Sequence, residues 1–205
     1  AVAGGYLWKF PTRKEVVSAP AILGDMIMFA STNHNFYAVD DKGKQVWKYT
    51  AFDRIKGDPL VVDKNLVIFG SYDKHIYALD VTTHTEKWIF PPKEQPAPPT
   101  PEVEPPVEGQ PADGAAAIET PPPPPPKPAD PEPTGAFAYA RPHLTQDGKT
   151  IVLGNLDGYL YGVNKKDGSF AWRFATDGVA AHKGITSSVS ESNGVLFFGA
   201  NDGNV

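Results

Sequence analysis

Leu66-Val-Ile-Phe-Gly-Ser71, His75-Ile-Tyr-Ala-Leu-Asp80 and Glu86-Lys-Trp88-Ile-Phe90 are the three runs whose reading decides the fold. Leu66 to Phe69 is apolar at every position. Such a run is buried on both faces, which excludes a sheet with one wet side. All three runs are short, rich in β-branched and aromatic residues, and separated by Ser, Asp, Lys and Thr. They read as three consecutive strands of an antiparallel meander. Gly57-Asp-Pro-Leu-Val61, just upstream, supplies a first strand.

The same four-part unit recurs on both sides. Upstream stand Ser18-Ala-Pro-Ala-Ile22, Met26-Ile-Met-Phe-Ala-Ser31, Asn35-Phe-Tyr-Ala-Val-Asp40 and Gly43-Lys-Gln-Val-Trp47-Lys-Tyr49. Downstream stand Ala140-Arg-Pro-His-Leu144, Thr150-Ile-Val-Leu-Gly-Asn155, Tyr159-Leu-Tyr-Gly-Val-Asn164 and Asp167-Gly-Ser-Phe-Ala-Trp172-Arg-Phe174. A further unit begins at Thr186-Ser-Ser-Val189 and continues through Val195-Leu-Phe-Phe-Gly-Ala200 to Asn204-Val205. Tyr6-Leu-Trp8-Lys-Phe10, ahead of the first unit, is the closing piece of another. Trp8, Trp47 and Trp88 lie 39 and 41 residues apart. The next gap, 84 residues, falls to 40 once the 44-residue tract from Pro91 to Thr134 is removed. A period near 40 marks a repeat architecture. Four short antiparallel strands per repeat, buried on both faces, make a β-propeller blade. We name the strands A to D from the axis outward. The expectation is an all-β propeller of about four blades, with Trp8, Trp47, Trp88 and Trp172 filling the gaps between blades. Asp167-Gly168 and Asp157-Gly158 suit tight hairpin turns.

These residues resemble the pyrroloquinoline-quinone (PQQ) repeat family of propellers. Tyr77-Ala-Leu-Asp80 through Trp88-Ile-Phe90 follows that family's unit closely, with His84 where Gly is usual. Tyr37-Ala-Val-Asp40 through Trp47 follows it with a turn one residue shorter. The resemblance implies a ring of seven or eight blades, of which this chain carries about half; a self-closed ring of four is the alternative. It also implies a periplasmic or otherwise extracytoplasmic location. The family holds both quinone-dependent dehydrogenases and non-catalytic scaffolds, and the character here is closest to the scaffolds of BamB type. Fold alone does not choose between them.

Three segments follow: blades over 1–90, a Pro-rich acidic insert over 91–134, and blades over 135–205. The insert holds 18 of the 22 prolines, eight acidic residues and two lysines. The remaining 17 basic and 16 acidic residues nearly balance, so the chain's net charge of −5 comes from the insert. With almost no large apolar residue it has no means to build a core and reads as extended or disordered. Shortening it to a few Gly and Ser residues is expected to change stability by only about 1–2 kcal/mol. Loss of soluble, cooperatively unfolding protein on that deletion would contradict this.

The sequence excludes much chemistry. There is no cysteine, hence no disulfide, thiolate metal site or c-type haem motif. No apolar run reaches transmembrane length, so membrane association would act through a partner or a lipid anchor outside these residues. The near-neutral folded part makes no case for nucleic acid. For dehydrogenase members the resemblance implies a quinone at the axis beside a Trp and adjacent cysteines, with calcium held by Glu, Asn and Asp. Here the tryptophans are taken by the blade positions, and Asp40, Asp80 and Asn164 recur once per repeat as turn residues. His34, His75, His84, His143 and His182 show no ligand spacing. Asn155-Leu-Asp-Gly158 and Asn201-Asp-Gly203 lack the further carboxylates of a calcium loop. No catalytic, cofactor or metal residue is assigned. The favoured reading is a non-catalytic scaffold for protein partners in a larger envelope complex. The alternative is part of a quinone-dependent dehydrogenase with calcium. The candidate partner-binding residues lie on the D-to-A connections, which cross one face of a propeller: Arg13, Lys14, Arg54, Lys56, Arg141, His143, His182 and Lys183.

Overall fold

The computed structural model describes residues 4–93 and 130–205. The chain divides into two units, Ala1–Lys93 with Glu132–Val205, and Glu94–Pro131. The architecture below belongs to the first; the reading of the insert falls mainly on residues 94–129, which lie outside the described residues.

Blade 1 is β1 (Ala21–Leu23), β2 (Met26–Ala30), β3 (Asn35–Val39) and β4 (Gln45–Thr50). Blade 2 is β5 (Leu60–Val62), β6 (Leu66–Gly70), β7 (Ile76–Asp80) and β8 (Thr85–Phe90). Blade 3 is β9 (His143–Leu144), β10 (Thr150–Gly154), β11 (Tyr159–Asn164) and β12 (Phe170–Ala175), and β13 (Ser190–Ser192) pairs with β14 (Val195–Phe197). Each four-stranded sheet is an antiparallel meander in chain order, as the repeat predicts, and the sheets do not close into a ring. The inner strands are shorter than their sequence runs because Pro20, Pro59 and Pro142 stand before them. Proline has no N–H to give a ladder.

Burial follows the position of each strand. β6 is buried throughout, and β3, β7 and β11 nearly so. The core is a series of seams between successive sheets. Phe36 and Trp47 of blade 1 pack with Ile55 of the following crossing and with Phe69, Tyr77 and Leu79 of blade 2. Ile68, Ile76, Trp88 and Phe90 of blade 2 pack with Phe137, Ile151 and Tyr161 of blade 3. At each seam an aromatic two residues after the Trp meets rings of the next blade. Phe10 lies against Phe29 and Tyr37, Tyr49 against Phe69 and Tyr77, and Phe90 against Phe137 and Tyr161.

The tryptophans work by one local device. The D strand carries a bulge just before Trp47, Trp88 and Trp172, opposite Ala38–Val39, Ala78–Leu79 and Gly162–Val163. A bulge bends the strand and re-aims the side chain. The residue paired with the Trp is small: Ala38, Ala78 or Gly162. The indole then reaches the C–D turn of the next blade. Trp8 Nε1 donates to Asp41 O at 2.8 Å, and Trp88 Nε1 to Lys165 O at 2.9 Å. Beneath these rings lie Gly43 and Gly168, where a Cβ would stand 2.6 Å from the indole. His84 takes the glycine's place in blade 2, at φ 60, and stacks on Trp47 with centroids 5.3 Å apart. Trp47 Nε1 is buried without a hydrogen-bond partner. Trp172, half-buried, lies against the backbone of Gly162 in its own blade.

Candidate functional site

The face that carries the D-to-A crossings is built by a latch repeated in every unit. The backbone N–H after the B strand takes the crossing's carbonyl: Thr32 N to Glu15 O, Tyr72 N to Arg54 O, Leu156 N to Ala136 O and Asn201 N to Gly184 O, at 2.9, 2.9, 2.9 and 3.1 Å. Side chains reinforce it. Ser31 Oγ donates to Glu15 O, Ser71 Oγ to Asp53 O and Arg54 O, and Asn155 Nδ2 to Gly135 O. One turn further on, Asn33, Asp73, Asp157 and Asp202 hold the crossing's earlier residues. Asn33 Nδ2 donates to Thr12 O, while the three carboxylates accept from Phe52 N, Thr134 N and Gly178 N. The strand-C tyrosine closes the unit, with Tyr77 Oη donating to Asp73 at 2.7 Å and Tyr161 Oη to Asp157 at 2.9 Å.

The electrostatics follow from these bonds. Burial pushes the Asp73 carboxyl up, but hydrogen bonds from His75 and Tyr77 outweigh it and hold the carboxyl below its ordinary value. Burial, then the bond to a carboxylate, raises the Tyr77 and Tyr161 phenols well above the usual range. The Asn155 and Asp157 oxygens are occupied by Asp157 N, Tyr159 N, Tyr161 Oη and Thr134 N, which is hairpin and latch chemistry. Asp40 and Asp80 accept from the N–H groups of their own C–D turns, as turn residues do. Among the described residues no group of three His, Cys, Asp or Glu is placed to hold a metal ion.

The eight candidate partner-binding residues sit in different settings. Arg13 (φ 63) and Lys14 are exposed on the crossing before β1. Arg54 and Lys56 converge on the Tyr72 ring, with charge centres 4.7 and 5.2 Å from its centroid. Arg141 faces a cleft of about 360 Å³ at the inner strands, shared with Ala19, Pro20 and Asp58. His143 lies in β9, with Nε2 3.0 Å from Glu191 Oε2 of the next blade. His182 (φ 52) lines a cleft with Glu132, Asp157, Tyr159 and Arg173, and Lys183 is exposed beside it. Of the eight, Arg54 and Lys56 are the pair that share a contact. Residues that sequence reasoning passed over join them. Tyr139 meets Tyr72 edge-on with centroids 6.0 Å apart, and Lys56 Nζ lies 3.5 Å from Tyr139 Oη. Burial and the bond to Tyr139 push the Tyr72 phenol up to about 12, while Tyr72 and Lys56 lower that of Tyr139.

A family model described as outer membrane protein assembly factor BamB matches residues 1–119, more than half of the chain. The chain belongs to the BamB family. Among solved structures, BamB from Moraxella catarrhalis is similar at 13% identity and a TM-score of 0.61, over 95% of this chain and 46% of that one. The computationally designed protein Ika4 is similar at 12% identity and a TM-score of 0.60, over 98% of this chain and 95% of that one. The quinohemoprotein alcohol dehydrogenase ADHIIG from Pseudomonas putida HK5 is similar at 16% identity and a TM-score of 0.60, over 94% of this chain and 29% of that one. At these identities the likeness shows the fold. The chain spans about half the length of the Moraxella BamB. A comparison with proteins of curated function gave no match.

The inner strands open on Ala19, Asp58 and Arg141, and Asp58 Oδ1 accepts from Ala19 N at 2.6 Å. Trp47 and Trp88 lie on the outer strands β4 and β8, and Trp8 ahead of β1, each over a turn of a neighbouring sheet. No helix among the described residues is long and apolar enough to cross a membrane.

Proposed function

We propose that this BamB-family chain is a non-catalytic, protein-binding scaffold of the bacterial cell envelope, working in the periplasm as a subunit of a larger assembly and taking its partner on the face of the D-to-A crossings. The observation that carries the reading is the repeated latch. Each crossing is tied by backbone and side-chain hydrogen bonds to the turn of the blade it begins. A recognition loop held this firmly on a rigid support loses little entropy on binding. Arg13, Lys14, Arg54, Lys56, Arg141, His182 and Lys183 are presented on these crossings, and His143 just inside them. Blades over 1–90 and 135–205 form the scaffold, and the insert over 91–134 is a separate segment of it.

Photo-crosslinkers at Lys14 and Lys183, with controls at Lys42 and Lys166 on the opposite turns, test this in cells. Adducts to envelope proteins are expected from the first pair. Adducts from the controls alone would move the partner to the other face. The alternative, a quinone-dependent dehydrogenase, is tested by adding quinone and calcium to the purified protein. A bound chromophore with dye-linked alcohol oxidation would overturn the scaffold reading.

A further inference from the structure

Tyr139 occupies a backbone conformation that a bulky residue rarely adopts, with φ 68. The cause is one extra residue. From the latch carbonyl to the proline before strand A, the crossings run Glu15 to Pro20 and Arg54 to Pro59. In blade 3 the same path runs from Ala136 to Pro142, one residue longer. The surplus is absorbed in a tight turn, with Ala140 N donating to Ala138 O at 2.9 Å, and the Tyr139 side chain is turned outward, 47% exposed. Strain kept at an exposed aromatic is a pointer to function.

The setting is well fixed. Phe137 N donates to Ser71 O, and Tyr72 N to Arg54 O. Gly57 allows the crossings of blades 2 and 3 to touch, since a Cβ there would stand 2.7 Å from Ala140 O. That approach puts Lys56 beside Tyr139. Phe52, 68% exposed, carries Lys93 Nζ 5.4 Å over its ring and is tied down by its N–H to Asp73. The charge balance is positive. Arg54 meets Asp53 through Nε alone, at 3.5 Å, and Lys56 pairs with no carboxylate among the described residues.

We propose that Arg54, Lys56, Tyr72 and Tyr139 form a binding site for an extended acidic peptide of a partner protein. Carboxylates of the peptide pair with the guanidinium and the ammonium, and proline or aliphatic side chains between them lie on the exposed Tyr139 ring. Cations beside exposed rings suit this ligand better than a bare anion, which has no use for the rings. The inference rests on the scaffold reading and names the chemistry of its partner.

The test is anisotropy of a labelled peptide alternating Glu and Pro, with Gln–Pro and Lys–Pro peptides as controls. The acidic peptide is expected to bind and both controls to fail. Tyr139→Gly suits the left-handed backbone, so its melting temperature should hold or rise while the peptide binds about tenfold more weakly. Arg54→Gln with Lys56→Gln should weaken binding at least as much. Equal binding of the acidic and Gln–Pro peptides would overturn the proposal. So would a Kd unmoved by Tyr139→Gly, or full displacement of the peptide by inorganic phosphate. Crosslinks to partners from Lys14 or Lys183 without peptide binding would sink this inference and leave the scaffold reading standing. Crosslinks confined to Lys42 and Lys166 would sink that reading itself.

Discussion

Trp88→Ala is expected to destabilise the protein by about 3–5 kcal/mol, the range for emptying a buried aromatic site. Trp88 is 7% exposed, lies on Gly168, and gives its N–H to Lys165 across the seam. Its removal opens a cavity between two sheets. The other tryptophans should cost less, in an order the geometry sets. Trp47 is equally buried, but its Nε1 has no partner, and an unsatisfied buried donor costs about 1–3 kcal/mol. Alanine there removes that penalty together with the packing, so Trp47→Ala should be the milder change. Trp8 and Trp172 are half-buried and should be milder again. Urea midpoints of the four variants check the ranking. A Trp88→Ala midpoint no lower than that of Trp8→Ala would contradict the seam described for blades 2 and 3.

The propeller was legible because its signal is carried by residues that must be large, apolar and evenly spaced. A Trp every 40 residues, an apolar B strand and a Tyr-x-x-Asp C strand leave little freedom, and the strands formed where those runs lie. His84 was legible as a departure from the repeat. Its physical consequence, a histidine stacked where a glycine would seat the indole, was not. The latch was half visible. Asn33, Asp73 and Asp157 each fall three residues past the B strand and Asp202 five past β14, yet a turn-forming Asx looks the same whether it serves its own hairpin or holds another loop. Tyr139 was invisible for a different reason. The extra residue in its crossing shows only when the latch carbonyls are known, and the insert just upstream hides the repeat there. Lys56 and Tyr139 meet from 83 residues apart, which no local pattern reveals. The basic residues were chosen by charge and position. Folding brought Arg54 and Lys56 together but spent His143 on Glu191.

Asp73→Ala should be nearly as damaging as the loss of Trp88. Its carboxylate accepts from Tyr77 Oη at 2.7 Å, Phe52 N at 2.9 Å and His75 N at 3.1 Å. Alanine would leave the phenol of Tyr77, which is fully buried, without its acceptor and release the crossing that carries Arg54. Hydrogen bonds to a charged group contribute about 1.5–3 kcal/mol each, and a stranded buried donor costs about 1–3, so a loss of about 3–4 kcal/mol is expected. Asp73→Asn should lose roughly half of that. Blade 1 already runs its latch on an amide, with Asn33 Nδ2 meeting both Thr12 O and Tyr37 Oη. The pH dependence separates charge from shape. The folded Asp73 carboxyl is held below its ordinary value of 3.8. A group depressed on folding contributes stability that is fully present above the unfolded value and is lost as pH falls through the folded one. The gap in unfolding free energy between the natural protein and Asp73→Asn should therefore stay constant from neutral pH down toward the ordinary carboxylate value. Below that value it should close. Urea denaturation of both proteins across that range measures it directly. A gap that persists into strong acid would mean that the latch depends on the shape of the side chain and owes nothing to its charge.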